Sequence, residues 1–149
     1  MLTEKSSRGL AIGDFDNDGD EDMFISNMNE APSLLRNDAN GSANRFLNLR
    51  LIGTSSNSSG IGARVTLFSG ARKMVQEVRS GSSFLSQNDL RLHFGLAAER
   101  IVERIEIDWP GGEKEIISNI ESNQFVVVTQ SKGITQSGPR RGGKLPELK

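Results

Sequence analysis

The residues with the clearest chemistry form an acidic run near the N-terminus, where six of nine side chains carry a carboxylate: Asp14-Phe15-Asp16-Asn17-Asp18-Gly19-Asp20-Glu21-Asp22. Carboxylates this dense repel one another unless a cation or solvent compensates them. Side-chain oxygens stand at loop positions one, three, five and nine, glycine stands at six for the turn, and position seven would offer its backbone carbonyl, as in calcium loops. The predicted metal ligands are Asp14, Asp16, Asp18, Asp20 and Asp22.

The type of ligand indicates which cation the loop would take. Oxygen ligands without His or Cys select calcium or magnesium, and the looser coordination of calcium suits a flexible loop better. An EF-hand would require a Glu at position twelve, where this chain has Ile25. The flanking segments, residues 10–12 and 23–25, alternate as strands do. We therefore predict a calcium site of the form strand, loop, strand.

Two other interpretations of the acidic run remain open. The run could be a solvated acidic turn without an ion. It could also hold a catalytic ion, or supply a carboxylate pair for acid and base work, which in glycoside hydrolysis requires two carboxylates about 5 to 10 Å apart on either side of a cleft. Neighbouring acids on one loop do not make a cleft. A structural calcium is favoured, because it uses all of these acids as ligands.

Composition excludes several classes of function. The chain has 149 residues, with 18 Lys and Arg against 19 Asp and Glu, one His and no Cys. A formal net charge of -1 argues against binding to nucleic acid, which depends on many basic contacts. Without Cys there are no disulfides, thiolate nucleophiles or iron–sulfur clusters. No apolar run approaches the roughly 18 residues of a membrane span, and the charged N-terminus does not resemble a signal peptide.

The remaining pattern predicts a mainly β fold. Apolar residues alternate with polar ones in residues 47–51, 63–67 and 105–109, and Pro110-Gly111-Gly112 marks a hairpin turn. Short strands separated by Gly, Asn and Ser indicate a β-sandwich or barrel. The only helical candidate is a weak one at residues 97–103. Residues 131–149 are rich in Gly, Pro and basic residues and predict a flexible basic tail.

Three single residues also have side chains that could act in a site. His93 is predicted on the polar face of its strand, in a surface or packing role rather than as a ligand or base. Trp109 is predicted to anchor the hairpin, although a Trp beside a Gly-rich turn could instead contact a sugar or peptide. Arg64 is predicted to be solvated or paired across strands. The Asn- and Ser-rich loop 53–60 is a candidate recognition surface.

Two resemblances extend these predictions. Residues 9–22 resemble the calcium-binding FG-GAP (VCBS-type) repeat of integrin-like β-propellers. Residues 44–51, Asn-Arg-Phe-Leu-Asn-Leu-Arg-Leu, are similar to the opening of the ASPIC/UnbV domain, which follows such repeats in cartilage acidic protein and many bacterial secreted proteins. The similarity continues in order through residues 60–65 (Gly-Ile-Gly-Ala-Arg-Val), 92–96 (Leu-His-Phe-Gly-Leu), 107–112 (Ile-Asp-Trp-Pro-Gly-Gly) and 123–124 (Asn-Gln).

The resemblance implies a partial calcium-binding repeat at 1–40 and the β-domain at 44–130, which the compositional tail at 131–149 follows. It implies an extracellular binding or adhesion-type module with a protein or carbohydrate partner and no catalytic residues. The alternative is a metal-dependent enzyme or accessory domain acting on polysaccharide or phosphoester. The family carries a whole propeller, so a single loop suggests the C-terminal fragment of a longer exported protein. Its leftover blade segment would pack on the β-domain, stay loose or self-associate through its edge.

Overall fold

The fold, taken from a computed structural model, is described for residues 4–38 and 43–139. These residues form strands and no helix, so the mainly β prediction is confirmed and the weak helical pattern at 97–103 is wrong. No helix of the described part could cross a membrane. The strands are β1 Ser7–Gly13, β2 Asp22–Asn27, β3 Ser33–Leu35, β4 Arg45–Ile52, β5 Arg64–Ser69, β6 Arg72–Glu77, β7 Leu92–Ala97, β8 Ile101–Asp108, β9 Lys114–Glu121, β10 Gln124–Thr129 and β11 Gly133–Pro139.

The first three strands form an antiparallel sheet in the order β1-β2-β3. The acidic run connects β1 to β2, and the pair Gly13 and Asp22 closes the ladder at the mouth of the loop. Residues 10–12 and 23–25 on either side of the loop therefore lie in strands, as their alternation predicts. The outer edge of β3 pairs with no other described strand, and apolar side chains of β2 and β3 stay about half exposed.

The other eight strands form two four-stranded sheets, β11-β10-β4-β7 and β6-β5-β8-β9. Alternate residues of the central strands point inward and are fully buried, for example Leu49 on β4 and Leu67 on β5. Buried side chains of both sheets belong to a single hydrophobic core, so the sheets face each other as in a sandwich. Neither sheet closes within the described residues, so the barrel alternative is wrong. Trp109 is 3% exposed and lies in this core, as its anchoring role predicts.

Part of the C-terminal region is an ordered strand, although its composition predicts a flexible tail. Gly133–Pro139 is strand β11, which pairs antiparallel with β10, and Gly133 takes the positive φ that the preceding turn requires. Poor apolar content suggested disorder, but the edge of β10 offers backbone hydrogen bonds that do not depend on apolar side chains. Residues 131–132 form the turn before β11, and residues 140–149 of the predicted tail lie outside the described part of the chain.

The N-terminal sheet is attached to the sandwich along the free edge of β1. The Ile12 amide donates to Asn88 Oδ1 at 3.1 Å, and the Asp89 amide donates to the Ile12 carbonyl at 2.9 Å. The Leu10 amide donates to Ser83 Oγ at 3.2 Å. The segment between β6 and β7 thus takes the place of a neighbouring strand, and it brings the acidic loop over the sandwich.

Candidate metal centre

The acidic loop brings three carboxylates together. One oxygen from each of Asp14, Asp16 and Asp18 lies within 4.8 Å of the others. Asn17 and Gly19 have φ values of 58° and 94°, which turn the chain so that alternate side chains point to the same side. Asp14 and Asp18 are buried and Asp16 is half-buried. Buried carboxylates at this spacing fit a hard cation with oxygen ligands.

Backbone amides of the loop hold these carboxylates in place. Asp14 accepts from the Asp18 amide at 3.0 Å on one oxygen and from the Gly19 amide at 2.9 Å on the other. Asp18 accepts from the Asp20 amide at 2.9 Å. Because each carboxylate oxygen has more than one lone pair, these bonds orient the group and still leave capacity for a metal. The arrangement is therefore preorganised, which lowers the cost of ordering the loop around an ion.

The last two predicted ligands lie differently. The carboxylates of Asp20 and Asp22 are outside the converging group of three. Asp22 is 2% exposed and accepts from the Phe15 amide at 3.1 Å and from the Asn37 amide at 2.8 Å. It thereby ties the start of the loop to the segment that follows β3. Coordination by Asp22, and by the Asp20 backbone carbonyl, stays a prediction.

The sandwich supplies contacts to the loop that the sequence pattern does not reveal. The Asn48 amide nitrogen on β4 donates to Asp14 Oδ2 at 3.2 Å. Arg91 donates from Nη2 to the Asp14 carbonyl and from Nη1 to Asn17 Oδ1, both at 2.6 Å, while its Nε pairs with Asp89 at 2.5 Å. Asn48 and Arg91 lie 34 and 77 residues from Asp14, beyond the reach of any local motif. The signal that could have found them is covariation, which one sequence does not carry.

The environment of the loop disfavours the charged forms of Asp14 and Asp16 when no cation is bound. Burial raises the pKa of Asp14 above its ordinary value of 3.8, although amide hydrogen bonds and Arg91 oppose this. Burial also raises the pKa of Asp16, with further increases from the nearby charges of Asp18 and Asp22. A divalent cation would reverse the balance by favouring the ionised forms.

These shifts predict how the metal-free protein responds to pH. A carboxylate whose pKa is raised on folding binds its proton more tightly in the folded state. Proton binding therefore stabilises the folded state at low pH, and this stabilisation is lost as pH rises from 3.8 through the raised pKa. We expect Asp16→Asn, which stays neutral and keeps the acceptor for the Asp18 amide, to gain stability relative to wild type from pH 4 to 7 in EDTA. Urea unfolding at each pH measures this difference. A constant difference would contradict the assigned environment.

The other candidate residues occupy structural positions. His93 is half-buried, its ring stacks on Phe46 with centroids 6.0 Å apart, and burial lowers its pKa. Arg64 is exposed on β5, between Glu77 and Asp108 in the cross-strand register. The backbone of loop 53–60 is held by Gln130 Oε1, which accepts the amides of residues 54, 55 and 56 at 3.1 to 3.3 Å. These contacts support a packing role for His93 and a solvated position for Arg64 between two acidic cross-strand neighbours.

The fold and the loop define a mainly β module in which an acidic loop is attached to a two-sheet domain. A family model described as "ASPIC and UnbV" matches residues 53–135, which is more than half of the chain. The chain belongs to this family. The predicted ASPIC/UnbV resemblance is thereby confirmed, with a match that runs from the residue after β4 to the third residue of β11. None of the curated proteins compared with the chain matches it.

Proposed function

We propose that this chain is a non-enzymatic binding module whose acidic loop takes up one calcium ion and that works outside the cell. The observation that carries the proposal is the convergence of the Asp14, Asp16 and Asp18 carboxylates within 4.8 Å. Calcium would be held by these three oxygens, with further oxygens from Asp20 and Asp22. The extracellular setting rests on the family resemblance and on the millimolar calcium that single loops of this kind need.

A structural role for the ion is supported by how the acids are used. Asp14 and Asp22 are almost fully buried, and both accept amides of the loop or of the segment after β3. Carboxylates committed to holding the backbone are poorly placed to exchange protons with a substrate. Neutralising them with an ion would tighten the junction between the N-terminal sheet and the sandwich. This use of the acids favours the binding module over the metal-dependent hydrolase.

The N-terminal sheet is the proposed contact surface for a partner. We propose that β1, the acidic loop and β2 are an FG-GAP/VCBS-type repeat. The outer edge of β3 pairs with no other described strand, and apolar side chains stand about half exposed beside it: Met23, Phe24, Leu34 and Leu35. Open edges with apolar neighbours favour the addition of further strands. This edge is the proposed contact with another chain, including a second copy.

Calcium binding is the experiment that tests the proposal. We expect isothermal titration to give one calcium per chain, and thermal unfolding to show a Tm that rises with calcium. At a hundredfold excess over Kd the gain corresponds to about 2.7 kcal/mol. Asp16→Asn should lose most of this gain, because it removes one of the three converging oxygen charges while keeping the shape of the side chain.

Glu21→Gln is the matched control, since it removes one charge from the same loop but its exposed carboxylate lies outside the converging group. It should keep stoichiometry and Tm gain close to those of wild type. Equal losses in the two variants would show a diffuse charge effect rather than a site. A wild-type chain that neither binds calcium nor changes Tm would overturn the proposal.

A further inference from the structure

A second feature beside the loop is a cavity of about 390 Å³ on the outer face of the sheet β11-β10-β4-β7. Its wall includes Asn17 of the loop, Asn48 and Arg50 of β4, Phe125 of β10 and Gln136 of β11. A volume of this size lies within the range of small-molecule sites. The cavity therefore has room for a ligand of one or two rings, with walls contributed by both parts of the chain.

Arg50 supplies the charge of this cavity. Its side chain is half-buried and makes no hydrogen bond or ion pair with any residue in the described ranges 4–38 and 43–139. A second wall residue, Arg91, is already paired with Asp89, so it adds little net charge. A partly desolvated guanidinium without a partner favours an anion, and its planar fork matches a carboxylate.

The other wall groups are amides with unused capacity. Asn48 is 2% exposed; its nitrogen donates to Asp14, while its oxygen has no partner among the described residues. Asn17 accepts from Arg91 through Oδ1, and its nitrogen has no such partner. Gln136 is exposed at the rim. Together these groups both donate and accept, which suits hydroxyl groups. The Phe125 ring, which also lies 5.5 Å from the Arg91 guanidinium, adds apolar wall surface for ring C–H groups.

We propose that this cavity binds a sugar that carries a carboxylate, that is, a uronate unit of an acidic saccharide. The Arg50 guanidinium would bind the carboxylate, and the amides around it would bind the hydroxyl groups of the same sugar. An acidic peptide would supply the carboxylate but few hydroxyls for the amides. The inference deepens the proposed binding role, on which it rests, but uses no calcium ligand and none of the acidic side chains.

The test is an NMR titration of the full chain with glucuronate, in calcium buffer and separately in EDTA. We expect the largest shifts at the backbone amides of Asn17, Asn48, Arg50 and Gln136. Glucose lacks the carboxylate and acetate lacks the hydroxyls, so each should bind about tenfold more weakly or worse. Arg50→Gln should weaken glucuronate by a similar factor. Arg64→Gln, which removes an exposed charge from the other four-stranded sheet, should leave binding unchanged.

Several results would overturn the inference. These are the absence of shifts at the cavity in the wild type, glucose binding as well as glucuronate, or a tetraglutamate peptide binding more tightly than glucuronate. The wild-type ligand series decides the matter even where Arg50→Gln fails to fold. Calcium titration of the same samples separates the two proposals: a chain that takes up calcium but not glucuronate contradicts this inference alone.

Discussion

Gly19→Ala is expected to destabilise the protein by about 2 to 4 kcal/mol. A Cβ at this position would stand 2.2 Å from the nearest carbon of the buried Phe46 ring, and the φ of 94° already disfavours any side chain. The loop would have to lift from β4, or the ring would have to leave its place against Phe125 and His93. Urea unfolding measures the cost, and hydrogen exchange of the Gly19 amide reports whether the loop has lifted.

Gly112→Ala separates the clash from the backbone strain. Gly112 has a φ of 93°, nearly the same as that of Gly19, but a Cβ there would meet nothing within 4 Å. Its cost should be about 1 kcal/mol, from the unfavourable φ alone. The difference between the two variants then measures the close approach of loop and sandwich. Equal costs would mean that the contact between Gly19 and Phe46 contributes nothing to stability.

Arg91→Met is expected to cost about 2 to 3 kcal/mol and to loosen the N-terminal sheet. The substitution removes the donors that Arg91 offers to the Asp14 carbonyl, to Asn17 and to Asp89, and it leaves these acceptors partly buried. An unpaired buried acceptor carries the full cost of its lost hydration. Hydrogen exchange should show faster exchange in residues 4–38, while the core strands of the sandwich keep their protection.

Arg104→Met is the matched control for this prediction. Arg104 also pairs with a carboxylate, Glu106, at 3.0 Å and lies over an aromatic ring, that of Phe68, at 4.2 Å. Its side chain is 47% exposed, against 24% for Arg91, and it has no contact with the loop. An exposed pair of this kind contributes at most about 1 kcal/mol. A loss as large as that of Arg91→Met would contradict the assignment of Arg91 as the link between the two parts.

Much of the sandwich was predictable because its signals are local. Alternation placed inward residues such as Leu49 and Ile107 correctly, since a strand with one buried face needs an apolar side chain at every second position. The hairpin after Trp109 was likewise marked by its own turn residues. Strand β11 was missed because its order comes from the backbone of β10, which its composition does not reveal.

Residue types and their local spacing are enough to predict the class of the fold and the oxygen-rich chemistry of the acidic loop. Carboxylates at alternate positions around Gly19 are enough to predict oxygen ligands for a cation, because this chemistry is set by residue type and short-range spacing. The position of the loop on the sandwich, and the side chains that hold it there, become visible in the folded chain alone. Arg91 and Asn48 contact the loop because the fold brings distant segments of the chain together. Residue types and short-range spacing do not indicate which distant segments will meet. The folded chain also places Arg50, which has no partner among residues 4–38 and 43–139, at the wall of the cavity beside the loop.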